Sequence, residues 1–190
     1  SLPSRDSIDP SYKWRLEDIY ASNDDWEKDF SKVKELADKV ASYKGQLSRD
    51  PQTFYEALKS LDEFGALSDK LFVYARMRRD EDNSNSLYQA MVDRATSMLT
   101  ECYARISFFT PEITAMDEGT IEKFFRELPQ LSLYKFKIDS ILREKEHILS
   151  EKEEALLALA SEMAEAPVEI FPMFNKVEIK FPNKKKEKGE

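Results

Sequence analysis

Two side chains in this sequence, Cys102 and His147, are the sole candidates for a thiol–imidazole pair. A cysteine nucleophile needs an imidazole or other cation beside it to hold the thiolate. Cys102 instead falls between Met98 and Ile106 on an apolar stripe, where a free cysteine behaves as a small hydrophobe. His147 stands in a Lys145-Glu146-His147 turn, a place for a solvated or capping imidazole. One histidine excludes a metal site needing two imidazoles from this chain, and one cysteine excludes a disulfide framework and a multi-cysteine zinc site. Carboxylates cluster at Asp24/Asp25, Asp80/Glu81/Asp82 and Glu153/Glu154, but among 37 acidic residues such neighbours arise by chance and read as solvated helix surface. The Asp80–Asn85 stretch alternates oxygen ligands yet lacks the glycine and distal glutamate of a calcium loop. Gly45, Gly65, Gly119 and Gly189 lie too far apart to build a phosphate cradle. The residues thus predict no catalytic, cofactor-binding or metal-binding side chain in this chain.

Composition narrows the remaining possibilities. A chain of 190 residues has room for one good hydrophobic core and too little for two comfortable domains. With 29 Lys and Arg against 37 Asp and Glu, the net charge of -8 argues against nucleic acid as a partner. The run Lys184-Lys185-Lys186-Glu187-Lys188 is short and terminal, and reads as a solvated loop. No apolar stretch is long enough to span a membrane, so no membrane partner is expected. The opening Ser1-Leu2-Pro3-Ser4-Arg5-Asp6 carries charge and proline where a signal peptide would be apolar, and there is a single thiol. Cytoplasmic localisation is the expectation.

The elements that must position any site are helical. Residues 1–23 read as an extended arm holding one short apolar element around Trp14, Leu16, Ile19 and Tyr20. Trp26, Phe30, Val33, Leu36, Ala37, Val40 and Tyr43 then recur at threes and fours, predicting a helix over about 24–43 capped by Ser22 or Asp24, with Gly45 beyond its end. Asp50-Pro51 predicts a second helix to about Arg79, interrupted by Gly65, and Leu87 to Phe109 a third over about 85–109. The short polar turn between the two makes them an antiparallel hairpin. Shorter helices are expected from Asp117 to Leu128 and from Leu131 to about Lys145. The capping box Ser150-Glu151-Lys152-Glu153 opens another, and Pro167 a last short piece. From Lys176 the period becomes two, with Val177, Ile179 and Phe181 on one side of a strand. The predicted fold class is all-α, with six or seven helices in antiparallel pairs and one short C-terminal strand. The expected division is an arm over 1–23, a helical domain over 24–175, and the start of a β-hairpin over 176–190, cut before its returning strand.

Four stretches carry a resemblance. They are Trp14-Arg15-Leu16-Glu17-Asp18-Ile19-Tyr20 with Trp26-Glu27, and Tyr74-Ala75-Arg76-Met77 leading into Asp80–Ser86 and Tyr88-Gln89-Ala90. The third is His147–Leu157, and the fourth runs from Ala166-Pro167-Val168-Glu169-Ile170-Phe171 to Lys180-Phe181-Pro182. In this order and spacing the chain resembles the N-terminal region of oligoendopeptidase F, a bacterial zinc metallopeptidase of the thimet-oligopeptidase-like group. The resemblance implies a cytoplasmic enzyme hydrolysing oligopeptides inside a mostly helical, channelled body. It also implies a His-Glu-x-x-His zinc helix with a further glutamate ligand, lying downstream of the stretches matched here. His147 matches the entry to a helix and not a ligand, so no catalytic or zinc-binding residue carries over.

Two functional readings follow. The first is the N-terminal helical domain of a zinc-dependent oligoendopeptidase, walling or restricting the substrate channel. Its partners would be the catalytic remainder of the longer chain and, through it, an oligopeptide. This region would hold no cofactor, the zinc belonging to the parent enzyme. The second is a free-standing helical module that binds a protein partner.

Overall fold

Helix starts are written in the caps. The computed structural model describes residues 7–83 and 85–145. Helix α1 (Asn23–Ala41) begins where the Ser22 hydroxyl accepts from the Asp25 amide at 3.2 Å. Helix α2 (Pro51–Glu81) begins where Asp50 accepts from the Thr53 amide at 2.8 Å, with Pro51 in the first turn. Helix α3 (Ser86–Ile106) begins where Asn85 accepts from the amides of Leu87 and Tyr88, at 3.0 and 3.4 Å. Each of the three packs against the other two. Their apolar stripes meet in a core that includes Trp26, Val33 and Val40 of α1, Phe54, Phe64 and Leu71 of α2, and Met91, Ala95 and Met98 of α3. Trp26 is fully buried and its indole Nε1 donates to the Leu71 carbonyl at 2.9 Å, closing the polar valence that burial would leave open.

Helix α2 runs through Gly65 without interruption. The arm is not wholly irregular. It forms short 3₁₀ turns at Pro10–Tyr12 and Leu16–Asp18, and lays Leu16 and Tyr20 into the core.

The chain departs from expectation after α3. The predicted helix to Phe109 stops at Ile106, and α4 (Phe109–Ala115) restarts two residues later and continues through Pro111. Pro111 lies in the first turn of α4, where its missing N–H has no helical partner to lose. Glu112 in that same turn accepts from the amides of Gly45 and Leu47 at 2.9 and 2.8 Å, tying the α1–α2 connection to α4. Gly45 has φ +74°, a left-handed value suited to glycine.

Helix α5 (Glu118–Glu127) falls within the helix expected from Asp117 to Leu128, with Asp117 as its cap. The single helix predicted from Leu131 is instead a 3₁₀ segment, Pro129–Tyr134, leading into α6 (Lys135–Glu144). Together α4, α5, the 3₁₀ segment and α6 make a smaller second layer. It meets α2 through the ring pairs Phe54–Phe124 and Tyr55–Tyr134, each with centroids 6.0 Å apart, and through Lys137 on Asp62 at 2.7 Å.

The described residues therefore hold six α-helices and no strand, a mostly helical fold. The helices expected from Ser150 and Pro167 and the strand expected over Val177–Phe181 lie outside the described residues, as does the unit 146–190 that contains them.

Candidate functional site

The side chains singled out for chemistry do not converge. Cys102 is buried on α3 with its Sγ 3.6 Å from Met98 Sδ. Burial pushes its thiol pKa up, away from the thiolate that nucleophilic attack requires. His147, Glu153/Glu154 and the basic run at Lys184–Lys188 lie outside the described residues. The carboxylates of the Asp80–Asn85 stretch face protein donors: Asp80 pairs with Arg79 at 3.5 Å, Glu81 with Arg78 at 3.2 Å, and Asn85 caps α3. Asp25 sits between Ser22 and Lys28, and the Lys28 ammonium is the main reason its pKa is low. Every described carboxyl whose pKa departs from the ordinary range is held low, as at Asp9, Glu27 and Asp50. A general acid requires the opposite shift. No three His, Cys, Asp or Glu side chains gather as a metal site among the described residues.

What does converge is a polar and aromatic network where the arm meets the bundle. The Tyr74 hydroxyl donates to Asn23 Oδ1 at 3.1 Å and accepts from Arg78 Nε at 3.1 Å. The Arg78 guanidinium also reaches Glu81 at 3.2 Å and Glu17 at 3.6 Å, and lies 5.2 Å from the Tyr74 ring and 5.8 Å from that of Tyr88. Burial works against its charge, but the Tyr74 hydroxyl and Glu81 outweigh it and its pKa sits above the usual arginine value. Tyr20 meets Tyr74 edge-on with centroids 5.2 Å apart, donates to Asp29 at 2.8 Å, and carries the Lys70 ammonium 4.0 Å above its ring. Burial, then the Asp29 carboxylate, drive the Tyr20 hydroxyl pKa well above the phenol value. Beside it Arg94 clasps Glu27 with two bonds of 2.6 and 2.8 Å, while stacking 4.7 Å from the Phe30 ring.

These contacts are ion pairs and hydrogen bonds between elements of the fold. They fasten Glu17 and Tyr20 of the arm to α2, and α1 to α3. The network draws on the first two stretches that carried the family resemblance, Trp14–Glu27 and Tyr74–Ala90. Sequence reading named those stretches without seeing that they meet. Glu27 and Arg94 are 67 residues apart, and no local pattern reports such a pair.

Comparison with known proteins returns one group of relatives. The family described as Oligopeptidase F matches residues 112–181. Oligopeptidase PepF of Bacillus subtilis is 39% identical over 99% of this chain, which spans 28% of that protein. The chromosomal oligoendopeptidase F of Lactococcus lactis subsp. cremoris is 32% identical over the full chain, which spans 32% of it. The crystal structure of oligoendopeptidase-F from Enterococcus faecium superposes with a TM-score of 0.72 at 28% identity, covering 85% of this chain and 32% of that one. The chain matches the N-terminal region of oligoendopeptidase F.

The segment matched by the oligoendopeptidase F family opens at Glu112, the residue whose carboxylate holds the Gly45 and Leu47 amides. It takes in the second layer and leaves α1 to α3 outside. A putative peptidase from Chlamydophila abortus shares the fold, with a TM-score of 0.70 at 24% identity. This chain spans less than a third of the length of these relatives.

Proposed function

We propose that the chain is the N-terminal helical region of a zinc-dependent oligoendopeptidase that hydrolyses oligopeptides. In the longer chain this region walls the substrate channel and restricts entry to it. The observation that supports the reading most is the mismatch of coverage: the Bacillus subtilis relative aligns over 99% of this chain, whereas this chain makes up 28% of the relative. The described residues do not fit a zinc ion. Cys102 is a buried neutral thiol, and no three ligating side chains come together among them. The metal would be held by a His-Glu-x-x-His helix elsewhere in the longer chain, where zinc activates the attacking water. Within this region we assign residues 1–23 to an arm, 24–175 to the helical domain and 176–190 to the opening of a β-hairpin. Its partners are the catalytic remainder of the chain and the peptide, in the cytoplasm.

The test is the coding sequence past Glu190 and the activity of its product. A downstream His-Glu-x-x-His, with chelator-sensitive cleavage of a fluorogenic oligopeptide by the longer chain, is the expected result. A stop codon directly after Glu190 would contradict the reading and favour a free-standing helical interaction module.

A further inference from the structure

The second layer leaves an apolar surface uncovered. Leu133 and Phe136 are 76% and 79% exposed. They are three residues apart across the junction of the 3₁₀ segment and α6, so they neighbour each other on one turn. Leu131, Tyr134 and Ile138 around them are buried, which fixes the backbone and holds the pair outward. Ser132 and Lys135, each next in sequence to one of the pair, line an open cleft of about 520 Å³ together with Phe125, Pro129, Glu122 and Arg126. The charges around the pair are matched: Lys135 with Asp139, Lys137 with Asp62 and Arg126 with Glu122. Single exposed apolar side chains are ordinary; a neighbouring pair of large ones, held outward by a buried backbone and ringed by paired charges, has the make-up of an interface.

We propose that Leu133 and Phe136 are the docking surface for the remainder of the peptidase chain. This rests on the function proposed above. Two observations select that occupant. The surface lies inside residues 112–181, the segment the family matches, while the three-helix bundle lies outside it. Relatives that align with this chain almost from end to end are more than three times as long, this chain being 28% and 32% of two of them. So large a body must pack against this region somewhere, and the other strongly exposed aromatics, Tyr12 and Trp14, sit on irregular chain around a short turn.

Thiol labelling tests it, because Cys102 is buried and contributes little background. Phe136→Cys and, separately, Leu133→Cys are placed in the 190-residue chain and in the longer chain, with Trp14→Cys as the exposed reference. Both new thiols should react fast in the 190-residue chain and at least tenfold more slowly in an active longer chain, with Trp14→Cys fast in both. Equal rates in an active longer chain would overturn the proposal while leaving the peptidase reading intact. Protection already present in the dilute 190-residue monomer would assign the cover to residues 146–190, and protection that appears with concentration would assign it to a second copy. Either would overturn the proposal. A reading frame that ends at Glu190 would remove the occupant and the peptidase reading together.

Discussion

The bundle of α1 to α3 and the layer of α4 to α6 solve different problems. The bundle buries its stripes within itself: Trp26, Val33, Phe54, Leu71 and Ala95 are inaccessible. The smaller layer buries Ile113, Leu131 and Ile138 against the bundle and still turns Leu133 and Phe136 to solvent. The bundle's exposed apolar residues, Val73, Leu87 and Tyr103, are each about half exposed, whereas Leu133 and Phe136 of the layer stand more than three-quarters exposed and three residues apart. Among the described residues, the family match falls on the layer from Glu112 onward.

Core truncations should break that comparison most severely. Leu71→Ala in the bundle and Leu131→Ala in the layer each remove a fully buried side chain, and each should cost about 2–5 kcal/mol in urea melts. If Leu131→Ala were neutral, the layer would not share the core. Tyr74→Phe deletes the hydroxyl joining Asn23 to Arg78, and should cost about 1–2 kcal/mol. Ser68→Ala acts in the other direction. Its hydroxyl is buried with no hydrogen-bond partner among the described residues, so removing it should stabilise by about 1 kcal/mol. Phe136→Ser should move the melting midpoint of the 190-residue chain by no more than about 0.5 kcal/mol equivalent, because that ring is already solvated.

A pH effect of smaller size separates the regions further. Burial first, and then Asp62, push the Tyr134 hydroxyl from 10.0 up to about 12. A folded-state pKa above the unfolded one means its contribution is whole below pH 10 and is lost as pH rises through about 12. Alkaline melts should therefore steepen in that window, and less so for Tyr134→Phe; identical slopes would remove Tyr134 from the account.

The sequence was most legible where its signals are local. Ser22, Asp50-Pro51, Asn85 and Asp117 each announce a helix start, and the structure uses them as caps. Phe109 was expected to end a helix and instead starts one, α4, with Pro111 in a first turn where it is at home. Pro129 ended α5 as expected, but the tight turn after it has no distinct pattern, which displaced the start of α6 to Lys135. The Glu112 clasp on Gly45 and Leu47 and the Arg94–Glu27 pair join residues more than sixty apart, beyond any periodicity. Tyr74, Glu81 and Glu17 stood in the stretches that carry the resemblance, whereas Arg78, which joins them, did not and has no local signal.

The central claim is that this region is scaffold, and that its chemistry resides in the longer chain. Incubating the purified, tag-free 190-residue chain with a fluorogenic oligopeptide, with and without chelator, tests it most directly. The account predicts no cleavage above buffer in either arm. Chelator-sensitive cleavage by the 190-residue chain alone would contradict it.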